Sequence, residues 1–179
     1  MTNNDILRRI RYAFDFSDRK MIALFAAAEF EVTREQISAW MKKDDDPDLQ
    51  DLETPVFATF LNGLINEKRG KREGPQAKPE QRLSNNMMLR KIKIALNLID
   101  DDLLEIIALG GQKLSKHELS AFFRKPDHKH FRLCMDQVLR NFLTGLALKI
   151  RADKKSAAEA DRPAGKVAKE SSKPAFKWE

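Results

Sequence analysis

Phe60-Leu61-Asn62-Gly63-Leu64 and Phe142-Leu143-Thr144-Gly145-Leu146 are nearly the same phrase, written twice at an offset of 82 residues. Sliding the chain by that distance aligns its two halves without a gap. Asn3-Asn4 falls on Asn85-Asn86, Leu7-Arg8 on Leu89-Arg90, Ile10 on Ile92 and Ala13 on Ala95. Asp18 falls on Asp100, Ser38-Ala39 on Ser120-Ala121 and Lys43 on Lys125. Self-similarity at one fixed register is the mark of an internal duplication. The sequence therefore divides into a first module at 1–69, a linker at 70–84, a second module at 85–151 and a tail at 152–179.

Each copy breaks into four helices by its apolar period and its caps, which makes the fold class all-α, two tandem copies of a four-helix module. The first helix carries Ile6, Leu7, Ile10, Ala13 and Phe14, mirrored by Met88, Leu89, Ile92, Ala95 and Leu96. It is expected to start after Asn4 or Asn86, whose side chains can accept from free first-turn amides. A second helix begins at Asp18 or Asp100, where carboxylates favour the positive end of the dipole. Gly110-Gly111 reads as its stop in copy two, against Ala28-Glu29 in copy one. Thr33-Arg34-Glu35-Gln36 and Ser115-Lys116-His117-Glu118 are capping boxes that open the third helix, with Val32 and Leu114 placed for hydrophobic staples on Ile37 and Leu119. The fourth helix covers about 54–68 and about 132–150, with Thr54 as cap and Pro55 in its first turn. Copy two lacks that proline, so its helix is expected to start earlier. Gly63 and Gly145 sit inside it, where glycine is about 1 kcal/mol worse than alanine. Close approach of a neighbouring helix is the expected compensation.

Hydrophobic residues make up 42% of the chain, enough for a core. No apolar run is long enough to cross a bilayer, and the N-terminus has no basic and apolar leader. Cys134 is the single cysteine, which excludes an internal disulfide and suits a reducing compartment. A soluble cytoplasmic protein is expected, with no membrane partner. The net charge of +6 is uneven: residues 1–69 hold 10 basic and 13 acidic side chains, whereas residues 85–151 hold 12 and 7. The polar tail, rich in Lys, Ala, Glu and Ser, is expected to be disordered, with Phe176 and Trp178 as a short linear contact.

The second and third helices, joined by a short turn, resemble a helix-turn-helix, which would offer the third helix to nucleic acid. Basic residues recur there at Arg34/Lys116, Lys42/Arg124 and Lys43/Lys125, with Ser120 beside them, a pattern suited to phosphate contact. A merely solvated helix face is the competing reading, and Glu29 and Glu35 favour it. His117, His128, His130 and Cys134 have no counterparts in copy one and lack helical metal-ligand spacing, so surface or structural roles are expected and no metal. Cys134 aligns with Leu52 and reads as a small core residue. The acidic run Asp44 to Glu53 lacks the glycine and spacing of an EF-hand; a solvated loop or a weak cation site are its two readings. There is no phosphate-cradling glycine loop, nucleophile elbow, HExxH or carboxylate pair repeated in both copies. No catalytic residue and no cofactor are therefore assigned. A non-enzymatic binding protein is expected, with nucleic acid as first partner. A protein-interaction adaptor using an apolar groove is the alternative.

Asn85-Asn86 with Leu89-Arg90, Leu109-Gly110-Gly111, Leu119-Ser120-Ala121-Phe122-Phe123-Arg124-Lys125 and the run from Asp136 to Leu146 resemble the YehS-like family of bacterial proteins. Those proteins are built from two copies of a domain of unknown function. The resemblance covers about 3–151. It implies a duplicated helical fold in the bacterial cytoplasm and supplies no catalytic residue or ligand.

Overall fold

The structure, a computed structural model, describes residues 1–162. Its order is α1 (Asn3–Phe14), α2 (Asp18–Ala27), α3 (Arg34–Met41), α4 (Thr54–Arg69), α5 (Asn85–Ala95), α6 (Asp100–Leu109), α7 (Lys116–Phe122) and α8 (Asp136–Ala160), with no strand among the described residues. The chain is all-α, two tandem copies of four helices. Each helix of copy two begins 82 residues after its counterpart in copy one.

The caps explain the starts, with two corrections. The first helix begins earlier than expected: Thr2 accepts from the Asp5 amide at 3.1 Å, and Ser84 accepts from the Met87 amide at 3.2 Å. Asn4 and Asn86 lie inside the helices and do other work. The Asn4 side-chain amide donates to the carbonyls of Trp40 (3.0 Å) and Gln50 (2.8 Å), and its oxygen accepts from the Leu52 amide at 2.9 Å. Asn86 does the same for Phe122 (3.0 Å), Arg132 (2.8 Å) and the Cys134 amide (2.9 Å). Both asparagines are buried, so one side chain satisfies a carbonyl near the end of the third helix and two groups of the segment that follows it. Leaving such groups unpaired costs about 1–3 kcal/mol each. The second correction concerns the fourth helix. Neither Glu53 nor Met135, the two N-cap residues, makes a side-chain cap bond, Thr54 is already helical, and α8 starts at Asp136 with no early turn. Asn86 and Asn85 explain why, since they hold residues 132 and 134 in the extended segment that α8 would otherwise absorb. The extra length of α8 lies at its other end. It continues through residues 152–160, where the sequence suggested disorder, while Phe176 and Trp178 lie outside the described residues. The two capping boxes of α3 and α7 form as expected.

Gly63 and Gly145 mark close contacts between helices. A Cβ at Gly63 would stand 1.8 Å from the Leu24 carbonyl oxygen, and one at Gly145 would stand 1.7 Å from that of Ile106. The glycines thus let α4 touch the backbone of α2, and α8 that of α6. Gly110 does a second such service, since a Cβ there would lie 1.8 Å from the Asn141 carbonyl oxygen. Its φ of −75° is ordinary, so closeness, rather than a left-handed turn, is what calls for glycine at 110. The positive φ falls one residue later, at Gly111 (106°) and at its counterpart Glu29 (60°).

The two copies interlock. Within a copy, α2 packs on α4 and α6 on α8, yet α1 makes its main helix contact with α8, and α5 with α4. This reciprocity is what a pseudo-twofold axis produces. Lys91 on α5 donates to the Asn62 side chain on α4 at 2.6 Å, and the Arg151 guanidinium on α8 lies 4.2 Å from the centre of the Tyr12 ring on α1. Buried residues of both copies form one cluster, including Phe25, Phe57 and Phe60 from the first and Phe142 from the second. Modules of this size bury too little surface to be comfortable alone, and sharing first helices enlarges the core.

Candidate nucleic-acid interface

The residues proposed from sequence separate into two groups. Arg34 and Lys116 stand in the first turns of α3 and α7, where each reaches back to the second helix: Arg34 to Asp18 at 3.3 Å and Lys116 to Asp101 at 3.0 Å. These pairs are mostly exposed, and such pairs contribute about 0–1 kcal/mol, so they orient the cations without disabling them. Ser120 donates to the His117 carbonyl of its own helix at 3.0 Å. Lys42, Lys43, Arg124 and Lys125 lie beyond the helices, because α3 ends at Met41 and α7 at Phe122. They do not share one helical face with Arg34 and Lys116. The short third helix explains this, since eight and seven residues give about two turns and no room for a cation at the far end.

The segments that follow differ between copies. Lys42 faces Asp46 at 4.0 Å within a run of carboxylates, and Asp46 also accepts from the Asp48 amide. Arg124 and Lys125 enter an open cleft of about 730 Å³ with Phe123, Asp127, His128 and Lys129. Among the described residues, neither Arg124 nor Lys125 makes an ion pair. His128 accepts from the His130 amide at 3.0 Å, and no group of three potential metal ligands occurs among the described residues. Cys134 is buried, and burial pushes its thiol up to about 12, consistent with a core residue.

Two crevices went unrecognised in the sequence. One lies where α1 meets α8, lined by Arg8, Arg11, Tyr12, Phe16 and Arg151; the other lies where α5 meets α4, lined by Arg90, Lys93, Ile94, Leu98 and Arg69. Every residue of the second list stands 82 positions from one of the first, with Arg151 matching Arg69. The crevices are therefore the same place in the two copies, each completed by the fourth helix of the other. The recurrence of arginine at 8/90 and 69/151 was the available signal. Its meaning needed the exchange of first helices. Phe123 lines both the second crevice and the cleft of Arg124 and Lys125, so basic surface continues from α5 to the loop after α7.

A duplicated all-helical chain with a basic face on one copy is the class these features define. The chain belongs to the family described as protein of unknown function (DUF1456), which it matches twice, at residues 3–70 and 85–152. It is similar to the uncharacterized protein YehS of Escherichia coli (strain K12), at 45% identity over 148 residues, covering 82% of this chain and 95% of that protein. No solved structure matches it. No helix among the described residues is long and apolar enough to cross a membrane.

Proposed function

We propose that this chain is a non-enzymatic nucleic-acid-binding protein that works in the cytoplasm and meets phosphates mainly through copy two. The observation that supports it is the open cleft after α7, where, among the described residues, Arg124, Lys125 and Lys129 stand without carboxylate partners beside one aspartate. Lys116 extends this surface toward α6, while Arg34, Lys42 and Lys43 of copy one stand near Asp18 and the acidic run at 44–53. Phosphate contacts carry most of the affinity of such proteins and weaken steeply with salt.

The test is binding of duplex DNA and RNA by the full chain across a salt series. Changing Arg124, Lys125 and Lys129 together to Ala should weaken binding to all sequences and flatten the salt slope, because phosphate contacts are sequence-blind. Changing Lys166, Lys169 and Lys173 to Ala is the control for the basic tail. Loss in the tail variant alone, or no binding at low salt, would remove the cleft from this role. The adaptor reading would then lead. It has its own support in Leu133 and Met135, which are 65% and 66% exposed where copy one has Asp51 and Glu53.

A further inference from the structure

We propose that the crevice between α5 and the end of α4 is a binding site for a phosphate monoester, held by Arg69, Arg90 and Lys93 beside the ring of Phe123. Its twin in copy one is the reason for singling it out. There, Arg8 is held by Asp5 and by Asp44 (2.7 Å), Arg11 is held by Asp18 (2.7 Å), and Asp15 lines the rim. At the matching places copy two has Met87 for Asp5, Pro126 for Asp44 and Asn97 for Asp15, and keeps only Asp100 for Asp18. Three of four carboxylates are gone, while the cations matching Arg8, Arg11 and Arg151 remain and the counterpart of the fourth cation, Lys154, does not line the second crevice.

What is left is a set of donors facing too few acceptors. Arg90 donates to the Phe123 carbonyl, and neither Arg90 nor Arg69 makes an ion pair among the described residues. Lys93 meets Asp100 at 2.6 Å and also stands 4.8 Å from the centre of the Phe123 ring, with the Arg90 guanidinium 5.9 Å from it. A guanidinium has five N–H donors, so Arg90 and Arg69 retain most of theirs for an oxyanion, with the forked geometry that phosphate accepts. The ring of Phe123 limits how far the two α5 cations can stray, which reduces the ordering cost of binding. Ile94 and Leu98 give the crevice an apolar side for the body of the ligand. Its volume of about 310 Å³ sits at the small end of ligand sites. A terminal phosphate fits this arrangement better than an internal phosphodiester, because only the monoester offers three free oxygens and a second charge.

The same chemistry belongs to the 5′ end of a nucleic-acid strand and to a small phosphorylated metabolite. The site does not depend on the cleft of Arg124 and Lys125, and the two are separable by variant. The experiment is calorimetric titration of the full chain with adenosine 5′-monophosphate, adenosine, and a short oligonucleotide carrying either a 5′-phosphate or a 5′-hydroxyl. The phosphorylated member of each pair should bind at least about tenfold more tightly. Binding should strengthen from pH 5 to pH 7.5, because the monoester gains its second charge near pH 6. Arg69→Ala and Arg90→Ala should each weaken it about tenfold, whereas Arg151→Ala and the triple Ala variant at 124, 125 and 129 should leave the monophosphate unaffected. Asp100→Asn should strengthen it by freeing Lys93. In the triple Ala variant at 124, 125 and 129, a preference for the phosphorylated oligonucleotide over the monophosphate would identify a strand end as the source, and equal binding would identify a small metabolite. Equal binding of phosphorylated and hydroxyl forms, or parental affinity in both arginine variants, would overturn the proposal.

Discussion

Around Arg8 and around Arg90 the backbone follows the same course, but the first guanidinium is clasped by Asp5 and Asp44 and the second, among the described residues, meets the Phe123 carbonyl and ring and no carboxylate. The same contrast runs through the two loops after the third helices, one full of carboxylates and the other basic. Inside, the copies hardly differ. Asn4 and Asn86 make the same three hydrogen bonds, and Gly63 and Gly145 admit the same carbonyl of a neighbouring helix. Positions that touch backbone leave no latitude, because buried polar groups must be paired and a close approach excludes a side chain. Positions facing water are free to change sign. In this molecule that freedom has produced one neutralised crevice and one cationic crevice on a common frame.

The largest effect expected from the comparison concerns the interlock. Residues 1–84 and 85–179, produced separately, should each fail to form a folded monomer, since α1 would lack α8 and α5 would lack α4. Each half should be unfolded or pair with itself, and mixing the halves should restore helicity and a one-to-one complex. Circular dichroism with sedimentation velocity reads both. A folded monomeric half would break the view that the two copies complete each other.

Glycine substitutions sharpen the internal side of the comparison. Gly63→Ala and Gly145→Ala should each destabilise the protein by about 3 kcal/mol in urea melts, because the new methyl displaces a helix backbone and overpacking outweighs the gain in helix propensity. Gly110→Ala should cost about 1–3 kcal/mol, although copy one has Ala28 at the matching place. The difference follows from α6 lying close to Asn141 along α8, where a Cβ at Gly110 would stand 1.8 Å from the carbonyl oxygen, whereas copy one carries the Ala28 methyl at its matching place. A neutral Gly110→Ala would mean that the two second helices approach their partners alike.

The repeat was legible because a constant offset survives changes of residue, and the cap boxes were legible because Thr33 with Gln36 and Ser115 with Glu118 preserve one chemistry. The glycines were legible too, since a mid-helix glycine recurring in both copies demands a neighbour. Asn4 and Asn86 misled because asparagine near a helix start reads as a cap, while its partners lie 36 to 48 residues away and are invisible locally. Lys42, Lys43, Arg124 and Lys125 were assigned to a helical face because periodicity does not reveal that the helix stops one to three residues too soon. The crevices were hidden for a topological reason. Arg69 and Arg90 are brought together only by α5 crossing onto α4, and sequence spacing carries no trace of which copy a helix packs against.

The smallest effect separates the copies by pH. Thr33→Ala and Ser115→Ala should each cost about 0.5–2 kcal/mol at neutral pH, through the loss of one first-turn hydrogen bond. The returning partner differs: in copy one it is the Gln36 amide, which does not titrate, and in copy two the Glu118 carboxylate, which accepts from the Ser115 amide at 2.7 Å. That backbone hydrogen bond, with the one to the Ser115 side chain, holds the Glu118 carboxyl below its ordinary value. Its folded pKa is depressed, so its contribution is fully present above the unfolded value near 4.5 and is lost as pH falls through the folded one. Glu118→Gln should therefore destabilise α7 at neutral pH and converge with the parent as pH falls through the depressed folded pKa, while Gln36→Ala should have the same effect across that range. Amide exchange in the first turns of α3 and α7 reads the two boxes independently in one sample. Equal pH dependence in both turns would show that Glu118 adds nothing that Gln36 lacks.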